Sequence, residues 1–154
     1  MNPTAAQNEY VERVGRWWES VSGSRSAGRI LGWLMICEPP HRSAAQLVEE
    51  LHLSAGSVST QTTVLERIGF VERVTFPGDR VTYYQLPEGV WVELMRTELQ
   101  RIEEMRGLAA AATDVLPQER SDRVEDLDRV ALFFHEEWPG LMERLVRKVE
   151  KERR

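Results

Sequence analysis

The sequence predicts a mainly α-helical protein with one small β-hairpin, in which a central pair of short helices is flanked by long ones. Three observations carry that prediction. Ser43-Ala44-Ala45-Gln46 is a capping box, a Ser and a Gln three residues on that satisfy each other's orphan backbone donors. It opens a helix with Ala44, Leu47, Val48 and Leu51 on one face at the helical period. After a short turn at His52-Leu53, Ser54 caps a second helix that runs to about Ile68, and Gly69 ends it. Two β-rich runs follow, 70–76 and 80–86, joined by Pro77-Gly78-Asp79, residues with hairpin-turn chemistry.

This order of elements outlines a winged helix-turn-helix, whose second helix enters the major groove of DNA. With Val58 as origin and roughly 100° per residue, Val58, Thr62 and Leu65 point inward. Gly56, Thr60, Thr63 and Arg67 fall on the opposite face, flanked by Ser57, Ser59, Gln61 and Val64. Hydroxyls and amides contact base edges and phosphates, and Gly permits close backbone approach. Ser and Thr are mediocre helix formers, so Ser54, Ser57, Ser59, Thr60 and Thr62 together need a reason. The expected DNA-contacting set is Ser43, Ser54, Gly56, Ser57, Ser59, Thr60, Gln61, Thr63 and Arg67, with Arg80 at the hairpin tip placed to enter a minor groove. The bland competitor is a polar surface helix in a small helical domain.

Several stretches resemble the MarR family of bacterial regulators: Ser43-Ala-Ala-Gln-Leu-Val-Glu-Glu-Leu51, Val58-Ser59, Leu65-Glu-Arg-Ile-Gly-Phe-Val-Glu-Arg73 and Asp79-Arg80. The run 69–84 is more like the GbsR branch, whose founding members repress choline-uptake and glycine-betaine genes. The resemblance is sharp over about residues 40–90. It implies a dimer, a winged helix in each half, and often a small-molecule inducer. Thr60 stands where many members have Arg, a departure that bears on the operator sequence and not on the fold.

A chain of 154 residues is long enough for one domain with a real core. No apolar run is long enough to span a membrane, so no membrane partner is expected. The N-terminus lacks the basic and apolar regions of a signal peptide. A single cysteine cannot form an internal disulfide, which fits a cytoplasmic protein. The net charge of −5 argues against nucleic acid at first sight. Its distribution softens that: residues 1–40 are neutral, 41–86 carry −1, and 87–154 carry −4. Phosphate contacts must then come from a few Arg, hydroxyls and helix N-termini, with a small salt slope.

The first helix is expected over about 8–21, with Tyr10, Val14, Trp17 and Val21 on one face. The second, about 26–37, is apolar nearly all round and reads as central core. Pro39-Pro40 ends it. Past the hairpin, Leu86-Pro87-Glu88 starts a helix of about 28 residues, about 42 Å long, which Pro117 stops. Ser121 or Asp122 caps a last helix, which Pro139-Gly140 breaks or kinks. Residues 1–24 and 88–154 are thus expected to form a helical dimerisation layer around a winged segment at 25–87. A monomer that folds these helices back on itself is the alternative.

Little in the chain reads as catalytic or metal-binding. His41, His52 and His135 are far apart and lack ligand-spaced neighbours, so neither a metal nor a cofactor is expected. Cys37, at the end of an apolar helix, reads as a buried inert thiol. No nucleophile–base arrangement or phosphate loop is present, so an enzyme is not expected. Trp17, Trp18, Trp33 and Trp91 lie on helices that bracket the winged segment in this family, the region of its effector pocket. They are expected to line a site for an apolar or quaternary-ammonium effector by cation–π attraction; plain core filling is the alternative. The function expected is a homodimeric regulator of transcription on a pseudo-palindromic double-stranded operator, a repressor relieved by a small ligand. The acidic balance leaves a second reading open, a winged helix used for protein contact.

Overall fold

The computed structural model describes residues 3–113, 115 and 122–152. The chain divides into two compact units, residues 1–90 and 91–154. In the first, α1 (Ala5–Ser22) and α2 (Arg25–Leu34) precede a short strand β1 (Arg42–Ser43), then α3 (Ala44–Leu51), α4 (Ala55–Arg67), β2 (Glu72–Val74) and β3 (Tyr83–Gln85). The second unit holds the long α5 (Val90–Thr113), whose first residue ends the first unit, and α6 (Asp122–Glu152).

α1 begins at Ala5, three residues earlier than its apolar stripe suggests. Thr4 and Gln7 form a second capping box: Thr4 N–H donates to Gln7 Oε1 at 2.8 Å and Gln7 N–H to Thr4 Oγ1 at 3.2 Å. Gly23, at φ 78°, turns the chain, and Ser24 caps α2. The first unit includes α1.

α1 and α2 meet along a glycine seam. A Cβ on Gly28 would lie 2.4 Å from Trp18 Cβ and 2.9 Å from both Gly15 Cα and Val14 O. A Cβ on Gly32 would lie 2.9 Å from Val14 Cβ. Glu12 pairs with Arg25 and Arg29 across the same seam, and Arg29 Nη2 also donates to Leu51 O at the end of α3 (2.8 Å). The Arg25 hydrogen bond holds the Glu12 carboxyl below its usual range. Below the seam, Ile30, Leu31 and Leu34 of α2 pack with Val11, Leu47, Leu51, Val58, Leu65 and Val71 in one core.

The sheet is three-stranded and antiparallel, ordered β1-β3-β2, with Arg42 opposite Tyr84, and Arg73 also opposite Tyr84 on the other side. β1 has no counterpart in the sequence reading. The hairpin strands are shorter than 70–76 and 80–86, and residues 75–82 form a loop. Pro77 has no N–H to donate to a ladder. The Asp79 carboxylate captures Val81 N–H and Tyr83 OH, so local bonds replace cross-strand ones.

α5 starts at Val90, after Gly89 at φ 72°, and its 24 residues span about 36 Å. α6 continues through Pro139 for 31 residues, so of the expected break or kink the break does not occur. Proline there removes one ladder donor, and the neighbouring Trp138 ties the helix to α5 by donating Nε1–H to Met95 O at 2.9 Å. Within the second unit Ala109 and Ala131 are buried, Arg106 faces Asp128 at 3.8 Å, and Glu103 pairs with His135, the pattern of an antiparallel helical pair. The expected stop at Pro117 and cap at Ser121 lie outside the described residues.

Candidate nucleic-acid interface

α4 is seated by three inward residues, Val58, Thr62 and Leu65, each 1 % exposed or less. Thr62 is polar yet buried because its Oγ1 donates back to Val58 O at 2.8 Å, one helical turn earlier. Ser54 caps the helix, its hydroxyl accepting Ser57 N–H at 3.1 Å. The opposite face is exposed: Gly56, Ser59, Thr60, Thr63 and Arg67. Thr63 Oγ1 donates to Ser59 O at 2.9 Å, which leaves its lone pairs outward. No side chain crowds Gly56, whose Cβ position is open for 4 Å around.

Two residues of the expected set have other work. Ser43 is only 9 % exposed; its hydroxyl accepts Gln46 N–H at 3.2 Å and its N–H donates to Gln46 Oε1 at 2.8 Å. It is the cap of α3 and a residue of β1. Gln61 is half-buried on the flank of α4, and its Oε1 accepts Ser24 Oγ–H at 2.8 Å. Ser24 Oγ in turn accepts Ala27 N–H at 3.2 Å. One hydroxyl thus caps α2 and anchors α4.

The wing is braced at its base and its tip. At the base, Arg73 of β2 pairs with Glu66 of α4 at 3.0 Å and lies over the Tyr84 ring. At the tip, Asp79 Oδ1 accepts Val81 N–H (2.9 Å) and Oδ2 accepts Tyr83 OH (2.7 Å). The Tyr83 hydrogen bond holds the Asp79 carboxyl below its usual range and pushes the Tyr83 phenol up. Arg80 stands exposed between Asp79 and Val81.

Behind both elements lies a buried polar network that sequence reasoning missed. Glu50 Oε2 accepts from Trp33 Nε1 at 2.6 Å and from Arg42 Nε at 2.8 Å. Arg42 and Glu50 side chains are each 5 % exposed. Arg42 also donates to the carbonyls of Pro39, His41 and Glu38, and its guanidinium lies 5.4 Å from the Trp33 ring centroid. Of the four arginines in residues 41–86, Arg42 is spent inside. The one available signal was Trp33, since a buried indole N–H needs an acceptor.

Within the first unit the three tryptophans differ in setting. Trp18 and Trp33 are core residues, 4 % and 2 % exposed, Trp18 edge-on to Phe70 with centroids 4.7 Å apart. Trp17 is 52 % exposed and lines a surface concavity of about 500 Å³ with Tyr10, Arg13, Val14 and Arg16. Trp91 is 45 % exposed and belongs to the second unit. Cys37 is buried, and burial pushes its thiol up, as for an inert cysteine. Among the described residues no cluster of His, Cys, Asp and Glu could hold a metal, and no helix is long and apolar enough to cross a membrane.

A capped, hydroxyl-rich helix, seated on a second helix and followed by an arginine-tipped wing, defines a winged-helix DNA-binding regulator of transcription. Comparisons agree. Residues 24–80 match the model of the MarR family, and residues 89–148 match that of MmpR5-like MarR family transcriptional regulators. The chain is 36 % identical over 122 residues to the HTH-type transcriptional regulator MmpR5 of Mycobacterium tuberculosis (strain ATCC 25618 / H37Rv), over 77 % of this chain and 74 % of that one. It also resembles a crystal structure of a transcriptional regulator, with a TM-score of 0.81 and 31 % identity over 92 % of this chain and 99 % of that one. The chain belongs to the MarR family of transcription regulators, not to an enzyme family.

Proposed function

We propose that this regulator is a homodimeric repressor that binds a pseudo-palindromic operator and is released from it by a small effector. The observation that carries the DNA contacts is the exposed face of α4, where Gly56, Ser59, Thr60, Thr63 and Arg67 are free of core packing. Thr60→Ala is expected to cost discrimination at particular base positions, about 1–3 kcal/mol at most. Arg80→Ala is expected to weaken binding across sequences and to lower the salt slope by about one. Titration of both variants against a duplex selected by the wild-type protein checks this; wild-type binding by both would sink the assignment of α4 and the wing to the grooves.

The dimer reading is supported by the apolar side chains that α6 leaves exposed. Val130, Phe133, Phe134 and Leu141 are 40–59 % exposed. Such a density of apolar surface marks a docking face. Two-fold symmetry would also match a two-fold operator, with half-sites about 34 Å apart. Sedimentation at low micromolar concentration should give a species of twice the 17.8 kDa chain mass. A folded 17.8 kDa species would refute the dimer.

The effector reading rests on Trp17 alone of the four rings in the first unit's surface concavity. Arg13 and Arg16 beside it favour an anionic or neutral aromatic compound over a quaternary ammonium ion, which they would repel. Salicylate is a suitable probe. Saturable quenching that Trp17→Phe abolishes, with matching loss of operator affinity, is the expected result. Quenching that Trp17→Phe leaves intact would place the ligand elsewhere. As to branch, the run 69–84 supports a GbsR-like relation, whereas the match over 89–148 favours an MmpR5-like one.

A further inference from the structure

We propose that His41 is a positioning residue for the wing: its ring seats Phe76 and Tyr83 so that the 75–82 loop closes and presents Arg80. This rests on the reading of Arg80 as a DNA contact.

The backbone of His41 is fixed from both sides. Its N–H donates to Pro39 O at 2.8 Å, and its carbonyl accepts from Arg42 Nη1 at 2.8 Å. Arg42 is itself held by the buried Glu50. His41 therefore belongs to the rigid part of the unit, although it adjoins the wing.

Its ring is the link between the two. The His41 centroid lies 4.6 Å from that of Phe76 and 5.0 Å from that of Tyr83, and those two rings are 5.5 Å apart. Phe76 comes from the outgoing limb of the loop and Tyr83 from the returning strand, so the three rings join both limbs to the residue that precedes β1. From Tyr83 the chain of contacts runs to Asp79, and from Asp79 to Val81 N–H. Arg80 sits between those two anchors.

The loop has no core of its own to replace this joint. Phe76 and Val81 are 40 % and 42 % exposed, and Gly78 has open space around it. Without the His41 ring, the Phe76 and Tyr83 rings would lose the aromatic contact that ties them to the residue before β1. An arginine on a loosened loop must be ordered when it meets DNA, and that ordering subtracts from affinity.

The test is a double-mutant cycle read against ionic strength, on a duplex that the wild-type protein selects from a random pool. His41→Ala is expected to weaken binding about tenfold and to lower the salt slope by about one, as Arg80→Ala does. The double variant should bind no more weakly than Arg80→Ala alone. His41→Phe, which keeps a ring in place, should bind within about twofold of wild type. Amide hydrogen exchange at Val81 should accelerate in His41→Ala while α4 amides keep their protection. Wild-type binding by His41→Ala, losses that multiply in the double variant, or equal acceleration throughout α4 would each overturn the proposal and leave the DNA reading of the wing standing. Wild-type binding and slope for Arg80→Ala would overturn that reading and the proposal together.

Discussion

Glu50→Ala is expected to destabilise the protein by about 3–5 kcal/mol, the usual cost of stranding one partner of a buried ion pair. Its carboxylate accepts from both Trp33 Nε1 and Arg42 Nε. Without it the indole N–H loses its acceptor, and the Arg42 guanidinium stays buried with its charge uncompensated. The carbonyls of Glu38, Pro39 and His41 still receive its other donors, which places the cost at the lower end of that range. Arg42→Met combined with Glu50→Leu should recover most of the loss, because apolar groups of similar volume often replace a buried pair at no net cost. Urea denaturation of the two variants decides it. A loss below about 1 kcal/mol for Glu50→Ala, the scale of an ordinary hydrogen bond, would mean that the carboxylate does not hold the network.

Gly28→Ala should be nearly as damaging, although helix propensity alone favours alanine by about 1 kcal/mol. The new methyl would fall 2.4 Å from Trp18 Cβ and 2.9 Å from the Gly15 backbone. Neither neighbour is the far end of a flexible side chain, so α1 and α2 must separate, and the Glu12 pairs across the seam separate with them. A net loss of about 3 kcal/mol is expected for overpacking of this kind. That corresponds to a melting point lower by about 6–12 °C. Gly56→Ala is the control: its Cβ position is open, and it should melt at or above the wild-type temperature. Equal melting of Gly28→Ala and wild type would show that the two helices are not held by close backbone approach.

The parts of this fold that were legible in the sequence are those written in local chemistry. The Ser43–Gln46 box, the Ser54 cap and Gly69 fix α3 and α4 to within a residue, because caps act through backbone groups close in sequence. The hairpin was legible in outline only. Its length depends on the Asp79 carboxylate, whose choice of partners no periodicity records. Gly28 and Gly32 sat in plain view at helical spacing, but their meaning comes from Val14, Gly15 and Trp18 of α1, ten to eighteen residues earlier in the chain. Arg42, Glu50 and Trp33 are ordinary residues one by one and become a network only when three elements meet. Among the site residues, Gly56, Ser59, Thr60, Thr63 and Arg67 sit on the exposed face that the helical wheel assigned to them. Ser43 was assigned by residue type and Gln61 from the flank of the wheel; in the folded chain the first caps α3 and the second accepts from Ser24, partners that no wheel records.

The inward commitment of Arg42 and the pairing of Arg73 with Glu66 bear on how this regulator searches for its site. Among the described residues of α4 and the wing, Arg67 and Arg80 are the arginines left without a carboxylate partner. A surface so thinly charged draws little long-range pull from the duplex. Encounters should proceed at the unsteered rate, about 10⁵–10⁶ M⁻¹s⁻¹. Sliding along non-cognate DNA should be brief, since condensed counterions are scarcely displaced. Under the contacts proposed for α4, occupancy of an operator is then governed by how slowly the protein leaves it, a quantity set by hydroxyl contacts that sequence can vary and salt cannot easily erase.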